Sequence, residues 1–194
     1  MQRTKANTTK NVRQLVIVGL LAGIILFLGF SGLGFIQLPI AKITIVHIPV
    51  MMGALIEGPK VGLILAFIFG ASSLYQSMVA PTLLSFAIVD PRVSILPRLL
   101  IPITCYFAYK FIKIKNESVR VGLAAMIGSL TNTIGFLGMI FMLYIDQYAE
   151  AYKLAISGAK TAIMSLVYTN GIIEAIASAF ITSAIVIAVK KMKR

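Results

Sequence analysis

The chain has 194 residues, 59% of them hydrophobic and only 12% charged, with a mean hydropathy of +0.95. Several apolar stretches reach about 18 residues or more, which excludes an ordinary soluble domain and indicates one polytopic membrane bundle. The net charge of +12 does not indicate nucleic-acid binding, because no soluble domain is available to carry a basic face.

A basic cytoplasmic segment, about residues 1–11, leads into span 1, predicted from about Val12 to Phe30. It could mimic a signal peptide, but it lacks a small-residue cleavage pattern and runs on into apolar sequence, so it reads as a retained span. A glycine-rich stretch, Gly29 to Gly34, and an extended or turn segment ending at Pro39 follow on the outer side. Span 2 is predicted from about Ile43 to Ile56, interrupted by Pro49 and closed by Glu57-Gly58-Pro59. At about 1.5 Å per residue it reaches only about 21 Å against a hydrocarbon core of about 30 Å. Either Pro39 to Lys42 also lie at membrane depth or this helix does not cross alone. Protein or a polar cavity must then cover its freed backbone.

Span 3 is expected from about Val61 to Met78, with Tyr75 and Gln76 near its outer end. The outer loop Val79 to Pro91 leads to Asp90-Pro91-Arg92, and span 4, about Val93 to Phe111, holds Arg98 close to its outer end. Span 5, about Val121 to Tyr144, carries Ser129, Thr131, Asn132 and Thr133 in its middle third. A partly helical outer loop, Ile145 to Lys160, precedes span 6, about Thr161 to Val189, with Asn170 and Glu174 in its outer half.

The basic residues sort into alternate gaps. They cluster at Arg3 to Arg13, at Lys60, from Lys110 to Arg120, and from Lys190 to Arg194. The intervening connections hold few cations, offset by Asp90, Asp146 and Glu150. Cytoplasmic loops carry the excess of Lys and Arg. The expected fold is therefore all-α: a single six-helix membrane domain over residues 1–194, with both termini cytoplasmic. No internal repeat or low-complexity tract interrupts it.

Arg98 and Glu174 are the charged side chains predicted well inside apolar spans, and His47 is the other ionisable candidate. Burying a charge there costs about 2.5–3.5 kcal/mol on insertion scales, so each needs a partner or water. Arg98 and Glu174 either pair with each other and fix helix packing, or contact a ligand. An arginine suits a carboxylate because its planar fork binds two oxygens at once. Asn132 and Asn170 carry amides that lipid cannot satisfy, while Thr131 and its neighbours also fit ordinary interhelical hydrogen bonding. Gln76 either lines the same cavity or sits in the interface, and His47 reads as structural. Gly19, Ala22 and Gly23 form a small-residue face on span 1, suited to bundle packing or to docking of a separate membrane subunit.

Other chemistry is poorly supported. There is no Walker A pattern, so ATP use belongs to another chain, and no Gly-x-Ser-x-Gly elbow accompanies the lone histidine. No His/Asp/Glu cluster has metal spacing. Cys105 stands alone and excludes an internal disulfide or cysteine metal cage. The expectation is a binding and translocating protein that is not an enzyme and uses no cofactor or metal.

Three features together resemble the substrate-specific S components of energy-coupling factor (ECF) transporters: the small-residue face of span 1, His47-Ile48-Pro49-Val50 followed by Gly58-Pro59-Lys60-Val61-Gly62, and Gly128-Ser129-Leu130-Thr131-Asn132-Thr133. The resemblance covers essentially the whole chain. It implies a bacterial plasma-membrane subunit that binds a vitamin and joins a module of one membrane coupling (T) subunit and two ATPase subunits. The family's docking face usually reads Ala-xxx-Ala, where this chain has Gly19 and Gly23. Asp90-Pro91-Arg92, Leu96-Pro97-Arg98 and Thr131-Asn132 look most similar to the pantothenate-specific branch. The implied site residues are Arg98, Asn132, Asn170, Glu174, Gln76 and Thr131. Another vitamin, such as folate, riboflavin or pyridoxine, and a membrane assembly protein without a ligand are the alternative readings.

Overall fold

The computed structural model describes the backbone of residues 2–37 and 42–192 and the side chains of residues 12–34 and 44–192. Helix α1, Gln2–Ser31, runs unbroken from the basic segment through the first apolar stretch. A two-stranded antiparallel hairpin follows, with β1 (Phe35–Gln37) paired to β2 (Lys42–Thr44) and Phe35 opposite Thr44. The architecture is all-α apart from this short hairpin, and the extended segment expected after span 1 forms its first strand. Ile43 belongs to a strand, where β-branched residues are favoured, and not to the start of span 2. Pro39 lies outside the described residues.

Helix α2, Ile48–Glu57, begins where Pro49 supplies a preset φ in the first turn. It ends at Gly58, whose φ of +99° favours glycine and whose successor, Pro59, opens α3 (Pro59–Val79). Ten residues give α2 about 15 Å of length, too short to cross a bilayer alone. Ile48 to Leu55 are all buried, because α1, α3, α6, α7 and α9 surround the helix. An apolar helix without a polar face belongs in such a position.

Beyond α3 come two short helices, α4 (Ser85–Ile88) and α5 (Pro91–Ser94). Span 4 was expected to start near Val93, but the chain turns at Ile95 and the main helix α6 is Leu96–Phe111. Pro102 inside α6 has no N–H, so the Arg98 carbonyl lacks its helical donor. The Asn116 side chain accepts from the N–H groups of Ser118 and Val119 and so caps α7 (Glu117–Leu143). Helix α8 (Ile145–Ala151) accounts for the helical part of the next loop, and α9 (Ile156–Met192) starts earlier than expected.

Among the described residues, four helices are long and apolar enough to cross a membrane: α1 from Val12, α3, α7 and α9. Their outer faces expose large apolar side chains such as Leu15, Phe27, Met142 and Phe180. The main apolar core joins α1, α2, α3, α6, α7 and α9, and a second cluster ties α7 and α9 to α4, α5 and α8.

Close helix approach depends on positions without a side chain. A Cβ on Gly70 of α3 would lie 2.8 Å from the Ser94 carbonyl oxygen and 3.0 Å from Ile95 Cα, whereas one on Gly138 meets nothing within 4 Å. Gly70→Ala is expected to destabilise the fold by about 1–3 kcal/mol through overpacking. Gly138→Ala should be neutral or stabilising by up to about 1 kcal/mol through helix propensity. Thermal unfolding in detergent reads both, and equal effects would contradict the α3–α5 packing.

Candidate functional site

Arg98 is the third residue of α6 and is buried, at 6% exposure. Its Nη1 donates to the Val93 carbonyl of α5 at 2.6 Å. The guanidinium carbon lies 4.5 Å from the Phe136 ring centre on α7 and 5.5 Å from that of Phe69 on α3. Two aromatic faces attract a cation electrostatically, but they do not supply a counter-ion. Arg98 Nε has no hydrogen-bond partner among the described residues.

The position of α5 is itself set by a polar contact at the outer loop. The Asp90 carboxylate accepts the Arg92 N–H and the Tyr144 hydroxyl, each at 2.8 Å. The Arg92 N–H first, and then the Tyr144 hydroxyl, hold Asp90 below its ordinary carboxylate range, so the ionised cap persists into more acidic conditions than a free aspartate would. The Asp90-Pro91-Arg92 triplet thereby fixes the short helix that presents Val93 to Arg98.

Glu174 on α9 does not pair with Arg98. Its Oε1 accepts the Thr44 backbone N–H at 2.7 Å, and its Oε2 accepts the Thr133 hydroxyl at 2.8 Å. The outcome is a bridge from the hairpin through α9 to α7. One helical turn along both helices, His47 Nε2 lies 3.1 Å from Ser129 Oγ and 2.9 Å from Ser178 Oγ. The expected structural role of His47 thus takes a specific form, a second bridge between α7 and α9.

The other candidate residues divide. Asn132 is buried at 7% exposure, and its Oδ1 has no partner among the described residues. Asn170 is half-buried one turn before Glu174 on the same face of α9. Thr131 lies apart, since its hydroxyl is 3.0 Å from Thr104 Oγ1 and 2.8 Å from the Ile127 carbonyl oxygen, in the α6–α7 packing. Gln76 Nε2 donates to the Gly29 carbonyl at 2.7 Å, beside a narrow cleft that Phe69 also lines. Phe69, Phe136 and the backbone of Val93 and Thr44 were not foreseen. A backbone donor leaves no mark in a sequence, whereas Glu174, Ser178 and Thr182 recur every fourth residue as a polar stripe within an apolar helix.

On α1, a Cβ on Gly19 or Gly23 would meet nothing within 4 Å. Both glycines are exposed and free of contacts inside the bundle, whereas the half-buried Ala22 packs against the main core.

Residues 13–186 match the family described as "ECF transporter, substrate-specific component". This chain belongs to that family. It is a multi-pass membrane protein and the substrate-specific component of a transporter. A relative from Lactococcus lactis subsp. cremoris, the pantothenic acid transporter PanT, is 31% identical over 166 residues, covering 78% of this chain and 80% of the relative.

Proposed function

We propose that this chain is the pantothenate-binding subunit of an ATP-driven ECF transporter. The observation that carries this reading is Arg98, a buried permanent cation with an unused donor and no carboxylate bonded to it among the described residues. An anionic ligand supplies the missing charge. Pantothenate adds hydroxyl and amide groups that suit the amide of Asn132 and, further out, Asn170 and Glu174. The name of the Lactococcus relative supports the same choice. Arg98→Gln is expected to weaken pantothenate binding by about 30-fold or more, the usual consequence of removing one partner of a desolvated charge pair. Arg98→Lys should recover only part, because the fork geometry is gone. Titration calorimetry on detergent-purified protein measures this, and unchanged affinity in a folded Arg98→Gln variant would remove Arg98 from the site.

The six-span topology is part of the same proposal. The fully surrounded α2 and the 16-residue α6 serve as the two shorter spans beside the four long ones. The basic clusters then place both termini in the cytoplasm. In a Cys105→Ser background, cysteines at Thr8 and Asn116 should be protected from an impermeant reagent, and one at Glu150 should be labelled. Reversed protection would overturn the topology.

The partners are one membrane coupling subunit and two ATPases, with Gly19, Ala22 and Gly23 as the docking face. Its support is the open space beside both glycines. Gly19→Leu and Gly23→Leu should abolish copurification with the coupling subunit and transport, while leaving pantothenate binding by the isolated chain intact. Joint loss of folding and binding would assign the face to internal packing.

A further inference from the structure

The α7 and α9 helices are joined by two polar bridges, and only the outer one includes a residue assigned above to the ligand. In the outer bridge, Thr133 of α7 and the Thr44 N–H both donate to Glu174 of α9. In the inner bridge, Ser129 of α7 and Ser178 of α9 both reach His47 Nε2. Ser129 precedes Thr133 by four residues and Ser178 follows Glu174 by four, so the two bridges are successive rungs between the same helix faces. His47 is completely buried, and it follows Thr44 by three residues on the segment leaving β2. One short stretch of chain therefore holds both rungs.

We infer that His47 is a positioning residue for the ligand site: through Ser129 and Ser178 it sets the spacing of α7 and α9 at which Asn132 and Glu174 face the ligand. The inference rests on the proposed ligand site and goes beyond it, because His47 acts without touching the ligand. The alternative is filling of the core alone, and chemistry separates the two. Serine hydroxyls on a helix can turn to the carbonyl four residues back. An apolar side chain of similar length at position 47 therefore leaves the ligand-free fold standing while the inner rung is lost.

The test compares His47→Met, which fills the volume without a hydrogen bond, with His47→Gln, whose amide nitrogen can reach the two serines. Each variant is titrated with pantothenate, and its unfolding temperature is measured without ligand. His47→Met should bind about tenfold more weakly, the scale of one lost buried hydrogen bond, with an unfolding temperature near that of the unaltered chain. His47→Gln should recover most of the affinity. If His47→Met does not fold, Ser178→Ala removes the inner rung from α9 while keeping the imidazole, and it should weaken binding in the same direction. Normal affinity in His47→Met, or in Ser178→Ala where that variant stands in for it, would overturn the positioning role, as would equal losses of affinity and stability in Met and Gln variants. If Arg98→Gln still weakens binding in those cases, the ligand site stands without His47. Normal affinity in Arg98→Gln as well would overturn the site and the inference together.

Discussion

Lipid offers no hydrogen bonds, so every polar group inside this bundle must find its partner within the protein or in a ligand. The chain meets that constraint mainly by enclosure and bridging. The short α2 is surrounded by other helices, and its break at Gly58 is closed by a Gly58 N–H to Ala54 carbonyl bond. The hairpin gives its Thr44 N–H to Glu174, and the serine and threonine hydroxyls of α7 and α9 complete the two rungs. Glycines at the helix crossings make the enclosure possible. A Cβ on Gly128 would lie 2.7 Å from Met51 Sδ and 3.0 Å from Cys105 Cβ.

The constraint is left unmet at four buried atoms among the described residues, His47 Nδ1, Thr182 Oγ1, Arg98 Nε and Asn132 Oδ1, and the last two belong to the proposed site. Arg98 has one carbonyl and two aromatic rings around a full charge, and the Asn132 Oδ1 is unbonded among the described residues. The Glu174 carboxyl, by contrast, already has a donor on each oxygen. That difference assigns the roles in the proposed site. In that proposal Arg98 supplies the electrostatic attraction and Asn132 an open acceptor, while Glu174 holds the hairpin through the Thr44 N–H. Membership of the ECF substrate-specific component family is consistent with a substrate site in this bundle.

Much of this is legible in the amino-acid sequence. Long apolar runs marked α1, α3, α7 and α9, and the Glu57-Gly58-Pro59 punctuation marked the α2–α3 boundary. Arg98, Asn132 and Glu174 stood out because an ionisable or amide side chain in an apolar span requires an explanation. The hairpin was missed because Ile43 and Thr44 continue the apolar run of the following helix, and a three-residue strand is too short for its alternation to register. The break at Ile95 was hidden in the same way by the mainly apolar stretch from Val93 to Ile101. Thr131 was grouped with Asn132 by adjacency, although neighbours on a helix point about 100° apart, and it faces Thr104 instead. The partners of Glu174 were illegible for a simpler reason. One is a backbone N–H, and no side chain announces it.

The central claim is that a buried arginine awaits a carboxylate. The most direct measurement compares pantothenate with pantothenol, its neutral analogue bearing an alcohol in place of the carboxylate, by titration calorimetry on the purified chain. Compensation of Arg98 predicts saturable binding of pantothenate and an alcohol weaker by about 30-fold or more. Equal affinity for the two, or no binding of pantothenate by the folded protein, would contradict it.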